Sequence, residues 1–333
     1  MTRTAVFGSG SWGTAFAAIL ADAGGEVVLH ARRAEVAEAI NSDHVNAAYL
    51  PELTLPETVS ATTDPAAAAR GAEMIVLAIP AQTVRANLGE WGHHLPTGAP
   101  VVSLMKGIEL GTGLRMSEVI QQVADVSRDQ VVVVSGPNLS REIAAKQPAA
   151  SVVACSDLGT AEQVAQACAS AYFRPYTQTD VVGAEVGGAV KNVIALAVGM
   201  AQGLGYGDNT KATIITRGLA ETARLGAALG ADPATLMGLA GVGDLIATCM
   251  SPLSRNHSFG VNLGQGMSVE EVVAITSQTA EGVKSCRSVL DLAATHGVDM
   301  PICAGVTAVV ENVMGVAELG DELMARPHKH ERH

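Results

Sequence analysis

Gly8-Ser9-Gly10-Ser11-Trp12-Gly13 opens almost at the start of the chain and fits the spacing G-x-G-x-x-G. Glycine is common here, 35 of 333 residues, so the triplet alone decides little. Its surroundings decide more. The apolar run Thr4-Ala5-Val6-Phe7 precedes it, an alanine-rich stretch over residues 14–23 follows, and a second strand-like run stands at Val27-Val28-Leu29. Strand, glycine turn, helix and strand form the setting in which the motif has a mechanism. Gly8 allows the sharp turn, Gly10 lets a pyrophosphate approach the backbone, and Gly13 lets the helix pack close to the strand. The free N–H groups and the positive dipole end of the new helix then face the phosphates.

The end of the second strand reports on the sugar. A carboxylate there would accept from the ribose 2′-hydroxyl and repel a 2′-phosphate. In Glu26-Val27-Val28-Leu29-His30-Ala31 the only carboxylate is at the beginning, and the strand runs into Arg32-Arg33. Two guanidiniums suit a phosphate or an adenine face. NADP(H) is therefore expected to be accepted beside or ahead of NAD(H); solvated residues at a helix start are the plainer reading of the same arginines.

Strand and helix patterns alternate through the first half, with strand runs at residues 4–7, 27–30, 74–79, 101–104, 131–134, 151–154 and 172–176. Near-continuous Val and Ile runs suit a parallel sheet covered on both faces. From about Gly183 strand patterns stop and alanine- and leucine-rich helices continue. The expected architecture is α/β: an N-terminal Rossmann dinucleotide-binding domain over 1–183, an all-helical C-terminal substrate domain over 184–325, and a polar, disordered tail over 326–333 with no assigned role.

The net charge of −12 argues against a nucleic-acid partner, because there is no basic field to displace counterions. Five scattered cysteines without a C-x-x-C read as reduced thiols in a cytoplasm. The strand pattern begins close to Met1, so no signal peptide is expected. The apolar run over residues 186–201 contains Lys191 and Asn192, is too short to span a bilayer and reads as a buried helix, so no membrane insertion is expected. No metal site is expected. A homodimer is, from apolar surface on the helical half.

Charged residues in unusual company mark the chemistry. Lys191 shares its helical face with Gly187, Gly188, Ile194 and Ala195. Desolvation there suits a group that gives and takes a proton; a buried structural ion pair is the alternative. Asn192, on an adjacent face, can hydrogen-bond a substrate or the nicotinamide side. Lys106 closes a strand at the ligand edge and can steady a developing alkoxide, or be a solvated loop lysine. Gly136-Pro137-Asn138-Leu139-Ser140 follows another strand and offers either an anion-binding backbone nest or an ordinary turn. Asp244, after Gly241-Val242-Gly243, can orient a lysine, accept substrate hydroxyls or cap a helix. Ser254-Arg255-Asn256 at a helix start suits a phosphate. Glu281, in Thr279-Ala280-Glu281-Gly282, can meet a ribose or cap a helix.

Taken together, Gly8 to Ala15, Lys106-Gly107-Ile108, Gly136-Pro137-Asn138, Lys191-Asn192-Val193-Ile194-Ala195 and Ser254-Arg255-Asn256 resemble bacterial NAD(P)-dependent glycerol-3-phosphate dehydrogenases across nearly the whole chain. The resemblance implies reversible reduction of dihydroxyacetone phosphate to sn-glycerol 3-phosphate, the precursor of glycerophospholipids. It implies Lys191 as the proton donor and acceptor and Lys106 touching both substrate and cofactor. Gly136, Asn138, Asp244, Ser254, Arg255 and Asn256 would line the substrate. Gly8, Gly10, Ser11, Trp12, Gly13, Arg32, Arg33, Ser140, Arg255, Thr279 and Glu281 would meet the dinucleotide. Family members often carry a small hydroxyl residue where Asn138 stands and alanine where Ser140 stands. Two rivals share these features: a 3-hydroxyacid or ketopantoate-type reductase, whose substrates carry a carboxylate instead of a phosphate, and an NAD(P)-binding redox sensor without turnover.

Overall fold

The computed structural model describes residues 1–276, 280–327 and 330. Its strands are β1 (Arg3–Phe7), β2 (Glu26–His30), β3 (Val45–Asn46), β4 (Leu50–Thr54), β5 (Val59–Thr62), β6 (Met74–Leu77), β7 (Val101–Ser103), β8 (Val131–Ser135), β9 (Ala149–Ala154) and β10 (Phe173–Gln178). Interleaved with them are α1 (Ser11–Asp22), α2 (Ala34–Asp43), α3 (Pro65–Ala69), α4 (Val84–Trp91), α5 (Met116–Ala124), α6 (Ser140–Ala144) and α7 (Leu158–Cys168). Then follow α8 (Val181–Gly203), α9 (Asp208–Ala228), α10 (Pro233–Leu236), α11 (Asp244–Met250), α12 (Arg255–Gly264), α13 (Val269–Ile275), α14 (Glu281–Thr295), α15 (Pro301–Val310) and α16 (Val316–Ala325).

Eight strands form one sheet in the order β10-β9-β8-β7-β6-β1-β2-β5. All neighbours are parallel except β8 and β9. The chain returns from β8 through only the five-residue α6, too little for a full crossover helix, so β9 runs back antiparallel. The hairpin of β3 and β4 and the edge strand β5 have no counterpart in the sequence reading. Only Val59 and Ala61 of β5 are buried, and two apolar positions make a faint pattern.

The sheet is covered on both faces because successive residues of a strand point to opposite sides. Val6 packs with Phe16 and Ile19 of α1 and Val164 of α7, whereas Ala5 and Phe7 pack with Leu88 and Trp91 of α4 and Val119 of α5. Phe7 lies stacked on Trp91 with ring centroids 4.1 Å apart. Strand order reverses around β1, between β6 and β2, and the crevice at that reversal lies at the turn carrying Gly8.

The sheet ends at Gln178 and the helices begin at Val181, so the boundary expected at 183 falls inside the first turn of α8. The helical half is built around α8, which is 23 residues long rather than the 16 of its apolar run. By length and composition it is able to cross a membrane, but 89% of its apolar window is buried inside the protein, which makes it a core helix. The segment Pro233–Met250 passes the same test, yet it is broken into α10, a π-helical turn at Leu239–Gly243 and α11. Glycines set how closely α12 approaches α8. A Cβ on Gly199 would overlap the carbonyl of His257, and one on Gly260 would overlap the carbonyl of Leu196. Contacts of Asn192 with Asn256, Leu196 with Gly260 and Met200 with Gly264 advance together, so the two helices run parallel. Val133, Val152 and Ala154 of the sheet pack against Ala184 of α8 and Ala240, joining the two halves through an apolar seam.

Candidate active site

The glycine turn has the form its spacing predicts. Gly8 has φ +119, and a Cβ there would overlap the carbonyl of Ala78 at the end of β6. Gly13 is pressed against the carbonyl of Gly8. At Gly10, in contrast, an added Cβ would meet nothing within 4 Å. Two glycines are thus consumed by packing, and the third borders open space, where a pyrophosphate would lie. Gly10 is also the N-cap of α1 and supplies no side-chain cap, leaving the amide groups at Ser11, Trp12 and Gly13 to an outside acceptor. The buried indole Nε1 of Trp12 has no hydrogen-bond partner among the described residues. Asn46 braces the turn from behind, its Nδ2 donating to the Ser9 carbonyl and to Thr14 Oγ1, both at 2.8 Å. Arg32 and Arg33 are exposed just past β2, with the Arg33 guanidinium 5.8 Å from the centre of the Tyr49 ring. This cradle fits a dinucleotide, and the paired guanidiniums fit a 2′-phosphate.

Along the carboxyl edge of the sheet, two ammonium groups share one carboxylate. Lys106, past β7, donates to Asp244 Oδ2 at 2.6 Å. Lys191, in α8, donates to Asp244 Oδ1 at 2.6 Å and to Thr248 Oγ1 at 2.7 Å. Asp244 is 1% exposed, and the two lysines are 8% and 7% exposed. Burial alone would discourage the ionised carboxyl, but the charges of Lys106 and Lys191 outweigh it and hold Asp244 below its ordinary value. Burial also pulls Lys106 down to about 8, against the stabilising pull of Asp244. The lysines can meet because Gly188 has no side chain: a Cβ there would stand 3.3 Å from Lys106 Cγ and 3.1 Å from Ser135 Oγ.

An ammonium has three hydrogens to donate. Lys106 places its three on Asp244, Asn138 Oδ1 at 3.0 Å and the Gly136 carbonyl at 3.1 Å. Lys191 places two, leaving one without an acceptor among the described residues. The loop after β8, weighed from sequence as an anion nest or an ordinary turn, turns two of its oxygens toward a cation. Its spare donor is Asn138 Nδ2, buried and without a partner among the described residues. Gly136 takes φ +143 there and lies against Ser151, while Ser140 begins α6.

The N-terminus of α12 closes another side. Ser254 caps it, its hydroxyl accepting from the His257 N–H at 3.3 Å, so its oxygen serves the helix and it holds Arg255 in place. Arg255 is exposed on the first turn. Asn256 is buried, donates to Asn192 Oδ1 at 2.9 Å and accepts from the Gly282 N–H at 2.9 Å. Glu281 opens α14. Burial raises its carboxyl, against the pull of the Arg255 guanidinium, the Ala81 backbone and both lysines. Thr279 lies outside the described residues, as does most of the tail.

Lys106, Gly136, Asn138, Lys191 and Asp244 thus meet in one cluster, Asn192 and Asn256 join α8 to α12 beside the start of α14 at Glu281, and Gly8 to Gly13 and Arg32-Arg33 lie at the glycine turn and the end of β2. Thr248 and Asn46 had not been recognised. Thr248 stands one helical turn beyond Asp244, a spacing that places both on one face; nothing near Asn46 in sequence hints at its partner loop. Among the described residues no group of three or more His, Cys, Asp or Glu side chains could hold a metal.

Two family models match the chain: the NAD-dependent glycerol-3-phosphate dehydrogenase N-terminus over residues 3–161 and its C-terminus over 180–321. A glycerol-3-phosphate dehydrogenase (NAD(P)+) of Streptomyces griseus is 62% identical, the alignment covering 99% of this chain and 98% of that protein. The enzyme of the same description from Thermobifida fusca is 60% identical over 100% and 99%. The crystal structure of glycerol-3-phosphate dehydrogenase from Coxiella burnetii superposes with a TM-score of 0.92 at 32% identity, covering 98% of this chain and 99% of that one. A ketopantoate reductase from Ralstonia eutropha shares the fold at a TM-score of 0.59 and 18% identity.

Proposed function

Since the chain belongs to the NAD-dependent glycerol-3-phosphate dehydrogenase family, and so interconverts dihydroxyacetone phosphate and sn-glycerol 3-phosphate with NAD(P), we propose the following assignment of roles to its residues. The observation that carries it is the sharing of Asp244 between Lys106 of the sheet half and Lys191 of the helical half.

The nicotinamide, when bound, supplies hydride to C2 of the ketone. Charge then develops on the carbonyl oxygen and needs a proton. Lys191 donates it through the hydrogen that Asp244 and Thr248 leave unused, and takes it back in the reverse direction. Asp244 and Thr248 fix the direction of that N–H, so little reorganisation is needed when the charge appears. Lys106 has its hydrogens committed in this arrangement, so its contribution is chiefly electrostatic; contact with substrate requires that Asn138 Oδ1 give way. Asn138 Nδ2 is then the substrate donor on that side. Arg255 and the open amides of α12 take the phosphate, whose binding energy aligns C2. Asn256, locked between Asn192 and Gly282, keeps α12, α8 and α14 in register around the site. Gly8 to Gly13 hold the pyrophosphate, Arg32 and Arg33 a 2′-phosphate, and Ser140, Thr279 and Glu281 further parts of the dinucleotide.

The product feeds glycerophospholipid synthesis, in a cytoplasmic setting. A homodimer is supported by apolar side chains exposed around α11, namely Met237, Ile246, Met250 and Leu253. The direct experiment follows NADPH consumption with dihydroxyacetone phosphate and with unphosphorylated dihydroxyacetone, in wild type and Lys191→Ala. The variant is expected to lose at least about 10²-fold in kcat with NADPH binding kept, as for loss of a general acid. Turnover near wild type in Lys191→Ala overturns the assignment of the proton donor.

A further inference from the structure

One carboxylate outside the catalytic cluster joins the two halves. Glu185 lies in α8, in the helix that carries Lys191, and is 4% exposed. Among the described residues, its hydrogen-bond partners all come from the sheet half. Its Oε1 accepts from the Ser117 N–H at 2.7 Å. Its Oε2 accepts from Ser117 Oγ at 2.6 Å and from Arg115 Nη1 at 2.6 Å. Arg115 in turn donates to Glu118 at 2.7 Å, so its guanidinium is held from two sides.

Those partners end the same loop that Lys106 begins. After Lys106 the chain pairs Ile108 with Arg115 across an antiparallel bridge, and the Glu109 N–H reaches the Leu114 carbonyl at 2.9 Å. Glu109, itself buried, is gripped by Arg85 of α4 through two bonds of 2.8 and 2.9 Å. Gln82 adds bonds to the Ile108 carbonyl and the Leu110 N–H. The loop is therefore fixed to the sheet half along its length and to α8 at its far end. A buried carboxylate with donors on both oxygens, one of them charged, is costly to break and tightly directed.

We propose that Glu185 is a positioning residue: through Arg115 and Ser117 it sets the register of α8 against the Lys106 loop, and so the placement of Lys191 relative to Lys106. A salt bridge for stability alone needs no such location. This one connects the two segments whose ammonium groups must converge on Asp244, and it is anchored close to both. A displacement of about 1 Å at such a site is enough to cost about 10² in rate. The dinucleotide turn lies on a separate loop, after β1, and makes none of these contacts.

The inference rests on the roles given above to Lys106 and Lys191, and Lys191→Ala in the same assay tests those separately. The test is a double-mutant cycle in the full-length protein. Glu185→Gln keeps an acceptor for the Ser117 N–H but removes the charge, Arg115→Met removes the cation, and the double variant removes both. Glu185→Gln is expected to lower kcat by about tenfold or more, with NADPH affinity, read from tryptophan fluorescence, within about twofold of wild type. Arg115→Met is expected to do the same, and the double variant to lose no more than the worse single, because the two act as one unit. Glu185→Asp, which keeps the charge, is expected to recover part of the lost kcat. The proposal is overturned if kcat stays within about twofold of wild type, if the single losses simply multiply, or if NADPH affinity falls in parallel with kcat. Should Glu185→Gln not accumulate as folded protein, Ser117→Ala removes a single donor and carries the same expectation, with a loss of about threefold in kcat and no change in NADPH affinity.

Discussion

Lys106 and Asp244 stand 138 residues apart in the sequence and meet at 2.6 Å in the interior. The first follows a strand of the sheet, and the second is the opening residue of a helix in the other half. Neither residue needs the other for its local structure. Their contact exists only when the two halves are docked, so the charge balance of the site also reports the integrity of the interface.

The first prediction concerns that carboxylate. Asp244→Asn keeps the shape but leaves two buried ammonium groups facing an amide. Removing one member of a buried ionic cluster costs about 3 kcal/mol or more. Chemical denaturation should therefore show a lower midpoint at neutral pH, and kcat should fall because Lys191 loses the partner that aims it. A variant of wild-type stability and turnover would contradict the reading of Asp244 as the shared counterion.

A pH dependence follows from Lys106. Burial brings its ammonium down to about 8 even with Asp244 beside it. Below that value the group carries a positive charge toward an anionic substrate, and above it the charge is lost. The Michaelis constant for dihydroxyacetone phosphate should therefore rise as pH increases through about 8. Lys106→Met should start with a high constant at neutral pH and lose that alkaline rise. An undiminished alkaline rise in the variant would assign it to another group.

The glycines separate folding from binding. Gly260→Ala drives a methyl group into the carbonyl of Leu196 and forces α12 away from α8. It should lower the melting temperature, since overpacking costs about 1–3 kcal/mol. Gly10→Ala meets no atom within 4 Å, and its backbone, at φ −73 and ψ 177, suits any residue. It should melt near wild type while binding NADPH more weakly, because the methyl group occupies pyrophosphate space. Thermal melts with and without NADPH distinguish the two, and equal losses of stability would remove the distinction.

How much of this was legible in the chain differs by residue. The glycine turn was, because Gly8, Gly10 and Gly13 act within one local unit whose geometry their spacing dictates. Lys191 was visible as a charge on an apolar helix face, and Ser254-Arg255-Asn256 as a helix start. What sequence could not supply was partnership. Asp244 could be read as orienting a lysine, accepting substrate hydroxyls or capping a helix, but nothing local shows that two lysines, Lys106 and Lys191, share it. Glu185 gave no signal at all, since its partners Arg115 and Ser117 lie in a segment without a motif. Strand β5 escaped because an edge strand with one solvated side carries few apolar residues. The direction of β9 escaped because apolar runs do not encode orientation.

Cofactor choice is tested at the end of β2. Arg32→Glu should shift the ratio of Michaelis constants for NADPH and NADH by about tenfold or more toward NADH, as expected for replacing a charge-assisted bond by a repulsion. An unchanged ratio would show that the guanidinium does not meet the 2′-phosphate, and would leave Arg33, stacked on Tyr49, as the residue to change next.

Phosphate recognition can be isolated from catalysis at Arg255. The guanidinium is exposed on the first turn of α12, where Ser254 fixes the helix start and the amide dipoles point the same way. A charge-assisted bond to a phosphate contributes about 1.5–3 kcal/mol. Arg255→Ala should therefore raise the Michaelis constant for dihydroxyacetone phosphate by about tenfold to 10²-fold. The rate with unphosphorylated dihydroxyacetone, slow in the wild type, should change far less, because that substrate has nothing for Arg255 to hold. If both substrates suffer equally, the arginine acts on the dinucleotide or on Glu281, whose carboxyl feels its charge, and not on the substrate phosphate. Measuring NADPH affinity in the same variant separates those two outcomes.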